Sequence, residues 1–149
     1  MPAFIIFGRV LFAALFIYSG ATKLFGIQAT ADMLAAKVTV PTLLAPYVTQ
    51  IETATNMQFP QLLAITVGAF EAIAGLMIAL NFGARFFAIL LIVFVLLATF
   101  YFHDFWSQTP ADPKAIIDAL KNLSLIGALF IIAGYGKGPR SVEPAYGDV

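Results

Sequence analysis

The chain has 149 residues, of which 61% are hydrophobic and 11% are charged, and its formal net charge is zero. Soluble domains contain roughly 45–50% apolar and about 25% charged residues, so a small soluble core would not hide this many apolar side chains. The balanced charge gives no field that would attract nucleic acid. No cysteine is present, which excludes disulfides, cysteine-ligated metals, iron–sulfur clusters and thiol redox chemistry. We therefore expect lipid to surround most of the chain.

Four segments are long and apolar enough to cross a bilayer, which takes about 20 mostly apolar residues per helix. They are residues 4–25, 61–80, 84–102 and 119–135. We interpret the first as a retained helix, because no positive charge precedes it and its apolar run is longer than the core of a typical secretory signal. The predicted fold class is an all-α integral membrane four-helix bundle.

The connections between these segments differ in length. Residues 81–83 alone separate the second and third spans, which predicts a tight helical hairpin with turn-forming residues. Residues 26–60 form a much longer connection, and Pro41 and Pro46 within it argue against one straight helix. We expect short interfacial helices between helices 1 and 2, or a lid across the end of the bundle.

The chain divides into a transmembrane domain, residues 1–138, and a solvent-exposed tail, residues 139–149. Four spans place both termini on one side of the membrane. Basic residues are shared equally between the two sides, so the preference of Lys and Arg for the cytoplasm does not decide the orientation. Acidic residues are more numerous on the side without the termini, but they carry little weight in this rule. We expect both termini to be cytoplasmic.

Glu71 is an ionisable residue near the middle of the second span. At that depth a carboxylate costs at least a few kcal/mol unless it is neutralised, paired or wetted. Helical spacing puts Arg9 on an interior face of the first span and surrounds Glu71 with small residues on the second. A rise of about 1.5 Å per residue leaves an offset of roughly 6 Å, within an arginine's reach. We predict an Arg9–Glu71 pair, with Arg85 as the competing cation.

Two interpretations of this buried pair stay open. It either sets the register of the helices, since buried pairs are weak evidence for stability, or it forms a site for a proton or a small molecule. Arg9 taken alone has a third interpretation, in which its side chain extends to the lipid headgroups.

A second group of polar side chains lies at the opposite ends of the spans. Its members are Lys23, His103, Asp104, Asp118, Lys121 and Asn122. An imidazole between acids and amines at a membrane surface can carry protons or bind a quinone carbonyl, so this group is a candidate quinone or proton site. We favour interfacial anchoring of the helix ends as its role. One histidine without cysteine is not a metal-binding pattern, so no metal is predicted.

Short motifs follow one another along the four spans. They are Arg9, Ser19-Gly20-Ala21-Thr22-Lys23-Leu24, Glu71, Gly75, Gly83, Arg85, Ala98-Thr99, Phe102-His103, Lys121-Asn122-Leu123 and Gly127. In order and spacing they resemble the DoxX family of small four-helix integral membrane proteins, over about residues 7–138. Residues 48–61 depart from the family pattern and look like an insertion.

The resemblance implies a helical bundle in a bacterial or archaeal cytoplasmic membrane, but no single reaction. Relatives include subunits of quinone-linked sulfur-oxidising complexes and proteins needed to mature periplasmic redox enzymes. The resemblance therefore favours a role as an accessory or membrane-anchor subunit associated with a redox enzyme. The expected partners are the lipid bilayer and either a larger membrane or periplasmic redox protein or a second copy of this chain. Nucleic acid is not an expected partner.

Two alternatives accompany this hypothesis. One is a quinone-interacting oxidoreductase subunit, in which the polar group around His103 and Lys121 would bind the ring carbonyls. The other is a small-molecule or proton carrier that uses the buried Arg–Glu pair. The sequence does not decide whether the protein is an enzyme, and quinone is the single cofactor that we consider.

Overall fold

The structure is a computed structural model that describes residues 2–102 and 112–135. These residues form six α-helices and one short 3-10 helix at Thr42–Leu44. The α-helices are α1 (Pro2–Phe25), α2 (Ile27–Lys37), α3 (Ala45–Thr55), α4 (Phe59–Ala79), α5 (Ala84–Phe102) and α6 (Pro113–Tyr135). His103, Asp104 and the predicted tail at 139–149 lie outside the described residues.

The four longest helices, α1, α4, α5 and α6, are each long and apolar enough to cross a membrane. Three of them agree with the predicted spans to within two residues at either end. The fourth, α6, begins at Pro113 rather than at residue 119. Its first turn is polar, so hydropathy missed it. The local signals were present, because Asp112 caps the helix through a 3.0 Å bond from the Lys114 amide and proline favours the first helical position. The predicted all-α membrane fold class is confirmed.

The turn between α4 and α5 is the tight hairpin that residues 81–83 predict. Asn81 and Gly83 adopt left-handed conformations, with φ of 57° and 58°. The Phe82 amide donates to the Met77 carbonyl at 2.9 Å, and the Asn81 amide donates to the Ile78 carbonyl at 3.1 Å. This pattern satisfies carbonyls that the end of α4 would otherwise leave without partners.

The long connection contains short helices, as its prolines predict. Pro41 precedes the 3-10 helix, and Pro46 lies in the first turn of α3, where a missing amide hydrogen costs nothing. Within the connection, α2 buries Thr30, Ala31 and Leu34, whereas α3 has no buried residue.

The chain divides into two compact units, with the divisions inside α1 and α4. The first contains Met1–Leu15 and Ala74–Val149; within it α5 packs against α6, and Leu91 and Leu129 are fully buried. The second is Phe16–Ile73, which holds the end of α1, the short helices and most of α4. The second unit contains the buried carboxylate.

Candidate functional site

Two glycines bring α1 and α4 into close contact in the second unit. A Cβ atom built on Gly20 of α1 would lie 2.4 Å from the carbonyl oxygen of Gly68 and 2.5 Å from the backbone nitrogen of Ala72. No side chain larger than hydrogen fits there without moving a backbone. Small residues at such contacts let membrane helices pack backbone to backbone. This contact fixes which residues of α1 lie beside which residues of α4.

Glu71 lies one turn beyond Gly68, near the middle of α4. At about 1.5 Å per residue it is roughly 18 Å from Phe59 and roughly 12 Å from Ala79. The residue is only 3% exposed. Its carboxylate therefore needs a partner inside the protein, as the sequence predicts.

The cation that meets Glu71 is Lys23 of α1. Lys23 Nζ lies 2.8 Å from Glu71 Oε2 and donates a second bond, 2.6 Å long, to Ser19 Oγ. Ser19 is four residues earlier on α1, so it faces the same side of the helix. The Lys23 side chain is 22% exposed and that of Glu71 is 4% exposed. The carboxylate is thus buried and charge-paired.

The sequence did not predict this pairing, because Lys23 was assigned to the polar group at the helix ends. The register set by the glycines explains the difference. A Cβ on Gly68 would lie 3.1 Å from the Lys23 Cβ, so the lysine stem starts beside Gly68 and needs to extend only one turn to reach Glu71. Gly20 and Lys23 are three residues apart, as are Gly68 and Glu71, and this repeated spacing was the available signal. The predicted Arg9–Glu71 pair stays a prediction.

The two arginines have other surroundings in the first unit. Arg85 Nε donates to the Ala133 carbonyl at 2.8 Å, and Arg85 Nη2 donates to the Gly134 carbonyl at 3.3 Å. The last carbonyls of a helix lack intrahelical partners, so Arg85, expected to compete for Glu71, caps the end of α6. Arg9 Nε is buried and has no hydrogen-bond partner among the described residues.

Three members of the second predicted group lie on one stretch of α6. Asp118 Oδ1 and Lys121 Nζ form an ion pair at 3.0 Å with an exposed lysine, a type of pair that contributes little to stability. Asn122 Nδ2 donates to Thr99 Oγ1 of α5 at 2.9 Å. Among the described members of the group, Lys23 thus bonds Glu71 and Asn122 bonds Thr99, and the quinone or proton site stays a prediction.

A cavity of about 370 Å³ lies between α5 and α6 next to this hydrogen bond. It is lined by Leu96, Thr99, Phe100, Ile116, Ala119, Leu120, Leu123 and Ile126. Thr99 is its polar lining residue. An apolar cavity with one polar wall suits the ring or chain of a lipid-soluble molecule. Helix packing creates this cavity, so sequence periodicity did not indicate it.

A polar cluster that the sequence analysis missed holds the start of α4. Gln61 Nε2 donates to Gln28 Oε1 at 2.9 Å, and Gln28 Nε2 donates to Asp32 Oδ1 at 2.8 Å. Glu52 Oε1 accepts the Phe59 amide at 2.7 Å. These bonds connect α2 and α3 to α4. In the part of the chain that the structure describes, no three His, Cys, Asp or Glu side chains gather into a metal-binding group.

Comparisons with known proteins give one family and two similar proteins. The model of the family described as DoxX matches residues 4–104. Inner membrane protein YphA of Escherichia coli is 28% identical over 143 residues, which cover 95% of this chain and 89% of that protein. Surfeit locus protein 4 homolog of Schizosaccharomyces pombe is 30% identical over 82 residues, covering 53% of this chain and 27% of that protein. No solved structure matches the chain.

Proposed function

Because the chain belongs to the DoxX family and has four helices able to cross a membrane, we propose that it is an accessory or membrane-anchor subunit associated with a redox enzyme. The relation to a redox enzyme comes from the family resemblance. The structural support comes from the contacts of the buried Glu71 carboxylate with Lys23.

The observation that carries the proposal is the closed arrangement around Glu71. The Lys23 ammonium already bonds both Glu71 and Ser19, and the adjacent glycine contact joins the two backbones. A carrier has to release and rebind a proton or solute at its buried carboxylate. Here the carboxylate is held by a cation whose removal would cost about 3–5 kcal/mol. That geometry favours a structural ion pair that holds α1 against α4 over a transport site.

Purification from native membranes in a mild detergent tests the proposal. We expect a tagged chain to co-purify with a redox enzyme in a fixed ratio. The ratio should not change in Lys121→Ala, because the contact that Lys121 makes within the described residues is an exposed pair on α6. Purification of the chain without any redox protein would contradict the proposal. Uptake of solute or protons by proteoliposomes that Glu71→Gln abolishes would support the carrier alternative instead.

The cavity between α5 and α6 favours a second candidate function, a quinone-interacting subunit. A quinone ring is apolar and carries carbonyl oxygens that accept hydrogen bonds. The amide of Asn122 has two N–H groups, of which one is bonded to Thr99. Asn122 is not a lining residue of the cavity, but its partner Thr99 is, so the second N–H is our candidate donor to a quinone carbonyl bound beside Thr99.

Quinone content of the purified protein tests this candidate. We expect Leu120→Trp, which fills the cavity, and Asn122→Leu, which removes the donor, to lower the amount of quinone extracted with the protein. Leu97→Trp is the matched control, because Leu97 is an exposed α5 residue outside the lining of the cavity. Equal quinone content in all three variants would contradict the candidate.

A further inference from the structure

The 3-10 helix and α3 present an apolar face that the rest of the described chain leaves uncovered. Leu43 is 81% exposed, Tyr47 is 63% exposed, and Leu44 and Ile51 are each about half exposed. Tyr47 and Ile51 are four apart and therefore share one side of α3, and Leu43 lies four residues before Tyr47 in the adjoining 3-10 helix. Such a face on a short connection needs an apolar environment.

The remaining surface of α3 is less polar than its composition suggests. The hydroxyls of Thr49, Thr53 and Thr55 each donate to the backbone carbonyl four residues earlier, at 3.1, 2.8 and 2.7 Å. Glu52 is the one charged residue of the helix, and its carboxylate accepts the Phe59 amide. Since polar groups that are already bonded are cheaper to remove from water, α3 can lie against lipid at low cost.

The end of α3 lies beside the start of a helix that is long and apolar enough to cross the membrane. Asn56, with φ of 54°, ends α3, and only two further residues precede α4. The Glu52–Phe59 bond holds α3 against the first residue of α4, which is a membrane-spanning helix. The end of α3 thus lies where α4 enters the bilayer. Free interfacial helices commonly use lysines and arginines to bind anionic lipid. Because α3 is joined to a spanning helix on each side, this covalent connection keeps it near the membrane without such residues.

We propose that α3 is an interfacial helix whose face of Leu43, Leu44, Tyr47 and Ile51 inserts among the lipids. Its partner is the bilayer surface rather than another protein. Through the Glu52–Phe59 bond, the inserted helix fixes the depth at which α4 begins, and with it the depth of Glu71. This proposal goes beyond the proposed function and does not depend on which enzyme the chain assists.

The natural absence of cysteine makes the test direct. Single substitutions Tyr47→Cys and Ile51→Cys on the apolar face, and Thr49→Cys and Thr53→Cys on the opposite face, each receive an environment-sensitive fluorophore. The full chain is reconstituted in vesicles of phosphatidylcholine and phosphatidylglycerol. We expect blue-shifted emission at positions 47 and 51, quenched strongly by nitroxide-labelled lipid and weakly by iodide, with the reverse at 49 and 53.

Two outcomes would overturn the proposal. One is iodide quenching of equal strength at all four positions, which would place α3 in water. The other is a blue shift at 47 and 51 that occurs in native membranes but not in the reconstituted vesicles, which would assign the face to a protein partner. All four sites are exposed, so the substitutions leave the packing of the second unit intact, and elution as a single species before labelling checks this.

Discussion

Lys23 Nζ and Glu71 Oε2 lie 2.8 Å apart, although 48 positions separate the two residues in the chain. The ion pair stands one turn away from the contact between Gly20 and Gly68. Each feature depends on the other, because the glycines let the backbones approach and the charges favour only one register.

Lys23→Met should destabilise the protein strongly. The substitution keeps the length of the side chain but leaves Glu71 buried and unpaired, which costs about 3–5 kcal/mol. Unfolding in mixed detergent micelles, followed by circular dichroism, measures the difference. The double variant Lys23→Met/Glu71→Leu should recover most of the stability, because it leaves no buried charge. A double variant as unstable as Lys23→Met would show that the ion pair is not the cause.

Gly20→Ala should destabilise the contact between α1 and α4. The new methyl group would lie 2.4 Å from the Gly68 carbonyl oxygen, so a backbone has to move, at a cost of about 1–3 kcal/mol. Gly8→Ala in the same helix is the matched control, because a Cβ there has nothing within 4 Å. The same unfolding measurement should find Gly8→Ala as stable as the natural protein. Equal losses in both variants would contradict the close contact.

The hydrogen bond between Asn122 and Thr99 should contribute a measurable coupling between α5 and α6. Interhelical bonds of this kind in membrane proteins average about 0.6 kcal/mol. A double-mutant cycle with Asn122→Leu, Thr99→Val and their combination gives the coupling energy from unfolding data. Additive effects of the two substitutions would mean that the bond does not form in the membrane.

Glu52→Ala should loosen the first turn of α4. The Phe59 amide then loses its acceptor, and the loss of a helix N-terminal cap costs about 0.5–2 kcal/mol. Glu52→Gln keeps an acceptor oxygen and should lose less. Hydrogen exchange at the amides of Phe59, Gln61 and Leu62 reports the change locally. Unchanged exchange in Glu52→Ala would show that another group caps α4.

Much of the fold could be predicted from the sequence, because its signals are local. The span that became α5 was bounded without error, since hydropathy rises and falls within a few residues of Ala84 and Phe102. The turn at Asn81–Gly83 also followed from residue type. The early start of α6 was missed because hydropathy does not detect a polar first turn. Asp112 as a capping residue and Pro113 at the first helical position indicate this start.

The candidate site was predictable only in part. A carboxylate at Glu71, in the middle of an apolar span, demanded a partner by its solvation cost alone. The identity of that partner depends on the axial offset between α1 and α4. Hydropathy does not predict this offset.

The sequence by itself therefore determined the class of protein, the spanning helices and the presence of a buried charge, because these depend on the hydropathy and spacing of neighbouring residues. The tertiary structure decided that Lys23 meets Glu71, that Arg85 caps α6, and that Glu52 holds the start of α4. Glu52 and Phe59 are only seven residues apart, but the other two outcomes require segments distant in the chain to pack against each other. At Gly20 and Gly68 the missing side chains set the distance and the register at which they do so.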